Sequence, residues 1–119
     1  MKAKLFLVKP SAPRAARKVA PPTDRFGIAP PSGRAFDEHR AALLGELAPQ
    51  GALRMAYFER LVHASWILLQ CRELETEILA GGLEAIEDDV NARTLDYLGR
   101  RTAAAEQVYS RALKGLLAR

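Results

Sequence analysis

The sequence predicts an all-α protein: a long antiparallel helical hairpin with a short preceding helix and an extended basic N-terminal arm. Three observations carry this. Six of the seven prolines fall within residues 1–34, and the chain beyond them reads as helix almost throughout. The breakers that remain stand at Ala48-Pro49-Gln50-Gly51 and at Gly81-Gly82, which divides the rest into one short and two long helical stretches. Charge changes at the same boundary. Residues 1–34 hold eight Lys/Arg against Asp24 alone, 8 − 1 = +7, whereas residues 35–119 hold ten against thirteen acids, −3.

In the arm, Pro10, Pro13, Pro21, Pro22, Pro30 and Pro31 remove amide donors and push their preceding residues out of the α region, so the expectation is extended chain that is disordered when alone. The first helix is predicted from about Ala35 to Leu47, with Phe36, Leu43, Leu44 and Leu47 on its apolar side and Asp37 and Glu38 near its positive end. The second is predicted from about Ala52 to Leu79. Tyr57, Leu61, Ala64, Leu68, Cys71 and Ile78 form its seam, and Val62, Trp66, Ile67 and Leu69 add apolar surface off that seam. A helix apolar on so many sides is buried on more than one of them, and the expectation is that two hairpins pair through the excess around Trp66. Residues 83–89 form an acidic connector. The last helix is predicted from about Val90 to Leu117, with Leu95, Leu98, Thr102, Ala105, Tyr109, Ala112 and Leu116 spaced for antiparallel packing on the second.

Two regions follow: residues 1–34 as a basic, Pro-rich arm and residues 35–119 as a helical domain. With 119 − 34 = 85 residues to build a core, the body is small enough that oligomerisation or docking on a partner is expected. Within it, residues 35–89 carry four basic and eleven acidic side chains (−7) and residues 90–119 carry six and two (+4). Such blocks favour pairing of opposite charge, within a chain or between copies. One cysteine, Cys71, rules out an internal disulfide and reads as a small buried hydrophobe. Leu5-Phe6-Leu7-Val8 is too short for a signal peptide, and no apolar run reaches the roughly 18 residues of a membrane span. A cytoplasmic protein with no membrane association is expected.

Catalytic and cofactor patterns are missing from the sequence. Glu59 and His63 share a helix face, but a carboxylate-bridged metal centre needs further ligands from other helices; a simple Glu–His contact is the expectation, with no metal and no cofactor. Glu73, Glu75 and Glu77 read as a solvated edge, and Ser65 and Ser110 have no base at a useful spacing. The candidate site is the arm: Lys2, Lys4, Lys9, Arg14, Arg17, Lys18, Arg25 and Arg34 form a track of cations suited to a phosphate backbone, with no element that reads bases. A solubilising tail and an arm that binds protein are the other readings. Arg100 and Arg101 are expected beside the acidic second helix.

Three stretches carry a resemblance: Leu43-Leu44-x-Glu46-Leu47-x-Pro49-x-Gly51, Glu59-Arg60-x-Val62-x-Ala64-x-Trp66 and Tyr109-x-Arg111-Ala112-Leu113. Over roughly 80 residues from Phe36 the chain resembles a family of small uncharacterised bacterial helical proteins, often present in many related copies per genome. Members of that family precede their helices with a Gly/Pro/Lys-rich segment ending in an Asn-Ala-Leu-Lys-His-Gly-like stretch, where this chain has Phe26-Gly27-Ile28 and a proline-arginine arm. The resemblance implies the helical fold and no established activity. The functional expectation is a non-catalytic nucleic-acid-binding accessory subunit of a nucleoprotein assembly, taking RNA or DNA through its arm; the alternative is a scaffold subunit whose arm wraps a neighbouring protein chain.

Overall fold

A computed structural model of the chain describes residues 23–118. They form four helices, α1 (Arg34–Leu47), α2 (Gly51–Ala80), α3 (Gly82–Glu87) and α4 (Asp89–Leu117), and no strand is found among the described residues. The all-α expectation holds, and the three principal helices lie within a residue of their predicted bounds. The acidic connector is itself mostly α3. No helix among the described residues is long and apolar enough to cross a membrane.

Local chemistry sets the ends. Ala48 closes α1 in the left-handed region (φ 42°), its amide bonded to the Leu44 carbonyl at 2.9 Å, and Pro49 then stops the helix. Asp88 caps α4: one carboxylate oxygen accepts from the amides of Val90 and Asn91 at 2.9 and 3.0 Å, satisfying two otherwise orphaned donors.

α2 and α4 pack along their lengths and run in opposite directions. Arg54 near the start of α2 donates to the Ala118 carbonyl at 2.6 Å, whereas further along α2 Cys71 shares a buried cluster with Leu98. The predicted α4 seam faces inward: Leu98, Ala105, Ala112 and Leu116 are buried, and Leu95, Thr102 and Tyr109 are half-buried.

Only one side of α2 is covered by α4. A second side meets α1, whose Phe36, Leu43, Leu44 and Leu47 close over Phe58, Val62 and Trp66. The Phe36 ring stands edge-on to the Trp66 indole, with centroids 5.5 Å apart at 89°. Two polar contacts pin α1. Arg40 makes a forked ion pair with Glu59, its Nε donating at 3.0 Å. His39 Nε2 lies 2.7 Å from Ser65 Oγ, whose own proton goes to the Val62 carbonyl, so the imidazole N–H is the donor.

Residues 23–33 cover part of a third side and tie down what the charge boundary assigns to the arm. The Trp66 indole N–H donates to the Ala29 carbonyl at 3.0 Å, and Gln70 accepts from the Ala29 amide at 3.2 Å. Ile28 is buried in the cluster of Cys71 and Leu98. The Trp66 ring itself is thus covered from within the same chain, by α1 and by this strap.

Candidate nucleic-acid interface

Of the eight cations in the predicted track, Lys2, Lys4, Lys9, Arg14, Arg17 and Lys18 lie outside the described residues. Arg25 and Arg34 lie within them and are not brought together. Arg34 opens α1, where it is exposed and pairs with Glu38 one turn on, at 3.1 Å. Arg25 stands on the strap, its guanidinium carbon 4.9 Å from the centroid of the Phe26 ring. Each is a surface cation, and only Arg34 has an acid at contact distance among the described residues.

The strap that carries Arg25 is built around Asp24. One of its carboxylate oxygens accepts from the amides of Phe26 and Ile28, both at 2.9 Å, and the other accepts from the Tyr97 hydroxyl at 2.9 Å. This is an Asx-type turn whose closing residue, Gly27, has φ 98°, a conformation that a side chain would strain. A Cβ there would also lie 3.2 Å from a Leu74 methyl. Phe26 stacks on the Tyr97 ring with centroids 4.1 Å apart. Burial works to raise the Asp24 carboxyl, but the amides of Ile28 and Phe26 and the Tyr97 hydroxyl outweigh it and hold it below the usual range. Burial and the nearby Asp24 carboxylate push the Tyr97 hydroxyl up.

Contacts correct two sequence expectations. Glu59 gives both oxygens to Arg40 rather than to His63, which instead meets the Phe36 ring edge-on at 5.6 Å. No cluster of three or more His, Cys, Asp or Glu suited to a metal occurs among the described residues. Arg100 pairs with Asp96 of its own helix at 3.1 Å, and the Arg101 guanidinium carbon lies 5.9 Å from the centroid of the Tyr97 ring. The reason is register. With Cys71 set against Leu98, Arg101 lies toward the middle of α2, short of Glu73, Glu75 and Glu77.

The result is a basic groove that the sequence reading missed. α2 supplies Arg60, His63, Ala64 and Ile67, α4 supplies Arg101, Ala104, Ala105 and Val108, and together they enclose about 290 Å³. The floor is apolar and low because three of the eight residues are alanine. No carboxylate lines it. The Arg101 Nε is buried and has no hydrogen-bond partner among the described residues. Past Arg101 and Ile67 the groove continues into a hollow beneath the strap, lined by Thr23, Asp24, Ala29 and Pro31. Each helix contributes its half of this groove from a different third of the sequence. The signal was the match of Cys71 with Leu98 in antiparallel register, which brings positions 60–67 opposite positions 101–108.

Compared with protein-family models, with curated proteins and with solved structures, the chain shows no match.

Proposed function

We propose that the protein is a non-catalytic, nucleic-acid-binding accessory subunit of a nucleoprotein assembly, binding RNA or DNA chiefly through its basic arm and carrying that arm on an antiparallel helical hairpin. The observation that carries the reading is charge: residues 1–22 hold six Lys/Arg and no acid. Prolines in the same stretch bar it from folding those cations into one long helix. The strap supports the reading mechanically, because Asp24, Ile28 and Ala29 fix the root of the arm to α2 and α4. Cations fixed at their root search less volume for a polyanion than cations on a free tail, which reduces the entropy lost on binding.

Binding is tested by fluorescence anisotropy with a labelled single-stranded RNA and a labelled duplex DNA. Each phosphate contact is expected to contribute about −0.9 to the slope of log affinity against log salt on duplex, or about −0.7 on single strands. Changing Arg14, Arg17 and Lys18 together to Ala removes three of the six upstream cations. About half the slope should go with them and sequence preference should not change, since phosphate contacts position rather than specify. Unaltered affinity in that variant would transfer the role to the groove cations Arg60 and Arg101. Binding weaker than about millimolar at physiological salt would leave the second reading, a scaffold subunit whose arm wraps a protein. The strap favours that alternative in one respect: residues 24–29 already make apolar and backbone contacts with a protein surface.

A further inference from the structure

We propose that the tip of the hairpin in one copy of this chain seats in the α2–α4 groove of a second copy, making a head-to-tail contact between unlike surfaces. The tip is apolar and acidic. Leu79, Leu83, Ile86 and Val90 are all exposed there, Leu83 at 71% of its surface. Residues 77–89 hold Glu77, Glu84, Glu87, Asp88 and Asp89 and no Lys or Arg. The groove is apolar and basic, with Arg60, His63 and Arg101 at its walls and no carboxylate. Each surface has what the other needs.

The match extends to shape and hydrogen bonding. Leu83, Ile86 and Glu87 stand at i, i+3 and i+4 on α3 and so share one face. A groove of about 290 Å³ lies just below the usual volume of small-molecule sites, suited to one or two aliphatic side chains rather than a whole ligand. With Leu83 and Ile86 on the alanine floor, Glu87 comes to the rim, near the Arg60 and Arg101 guanidinium groups, neither of which has an acid at contact distance among the described residues. A carboxylate is the strongest partner of a guanidinium. The two surfaces cannot meet in one chain. Twelve helical residues separate Ile67 from Leu79, roughly 18 Å along a rigid helix. The occupant is therefore a second copy, and because tip and groove differ, the contact propagates rather than closing as a two-fold dimer.

The contact is small, so a dissociation constant of about 10–100 µM is expected, at the weak end for protein interfaces. The proposal is independent of nucleic-acid binding and is tested on the nuclease-treated, full-length protein by sedimentation velocity. The wild-type chain should sediment faster as concentration rises, with the increase reduced by salt. Leu83→Ser/Ile86→Ser disables the tip and Val108→Glu disables the groove; all three positions are exposed, so folding is preserved and checked by circular dichroism. Each variant alone should be monomeric. Mixed in equal amounts, they should form dimers and nothing larger, because each mixed pair retains one intact tip and one intact groove. A charge exchange gives a second route: Glu87→Arg and Arg101→Glu each weaken self-association at least tenfold, and mixing them restores it. A wild-type chain monomeric up to about 300 µM, well above the expected constant, overturns the proposal. So does association that persists in both variants, or that is lost on Leu5→Ser/Phe6→Ser, which would make the arm the occupant.

Discussion

At the scale of single residues, space decides which glycines matter. A Cβ on Gly115 would lie 2.5 Å from the Tyr57 ring, whereas a Cβ on Gly99 meets nothing within 4 Å, although both sit inside α4. Sequence propensity treats the two alike, as helix positions weakened by about 1 kcal/mol relative to alanine. The structure separates them. Gly99→Ala should raise stability by about 1 kcal/mol, and Gly115→Ala should lower it by about 1–3 kcal/mol because the ring is wedged out of place. Urea denaturation of the two variants side by side checks this. Equal effects would mean that Tyr57 swings away without cost. Ala48 offers the converse case, a side chain held at φ 42° where left-handed backbone costs roughly 1–2 kcal/mol. Glycine relieves that strain but loses more entropy on folding, so Ala48→Gly should gain only about 0.5–1 kcal/mol, read from the same denaturation curves.

At the scale of elements, the strap shows where local and long-range information part company. Its docking rests on Ile28 in the cluster of Cys71 and Leu98 and on the Trp66–Ala29 hydrogen bond. Ile28→Ala should cost about 2–5 kcal/mol of strap docking and shift Trp66 emission to the red as water reaches the indole; an unchanged emission maximum would show that α1 alone shields the ring. The helices themselves were legible because their signals are local. Pro49 and Gly51, the paired Gly81 and Gly82, and the three-and-four spacing from Leu95 to Leu116 are read without knowing the fold. Coverage of α2 was not legible. An apolar surplus around Trp66 announces that something covers it, but nothing in the helix says whether the cover is a second copy or a segment forty residues upstream. Asp24-x-Phe26-Gly27-Ile28 was the clue, a turn flanked by two large apolar residues inside a polar arm. The groove cations were illegible for a related reason: Arg60 and Arg101 become neighbours only once the register of two helices is fixed.

At the scale of the whole molecule, the polar contacts and the apolar seam divide the work of holding it together. α1 is pinned by Arg40–Glu59 and His39–Ser65, and the strap by Asp24, whereas the described α2–α4 core is mainly apolar, with Thr102 and the Arg101 Nε as buried polar groups in it. Hydrogen bonding from Arg40 holds the Glu59 carboxyl below its ordinary range, and the Asp24 carboxyl is also depressed. A depressed carboxylate stabilises the fold above its unfolded pKa, near 4, and that stability is lost as pH falls through the lower folded value. Burial lowers the His39 imidazole, so the folded state favours its neutral form and loses stability as pH falls below about 6.5. All three shifts act in one direction. Acidification should therefore loosen α1 and the strap first, with Trp66 emission moving red as pH falls below the ordinary carboxylate range, about 4, while far-ultraviolet circular dichroism keeps most of its helical signal; simultaneous loss of both signals would show the hairpin depends on its covers. Because the strap is also the root of the arm, Cys71 becomes a clock for it. The thiol is fully buried under Ile28, and burial pushes its pKa up, so it reacts with an alkylating reagent only while the strap is lifted. Its labelling rate counts those openings, and a polyanion that pulls on the arm would be heard as a change in the tick.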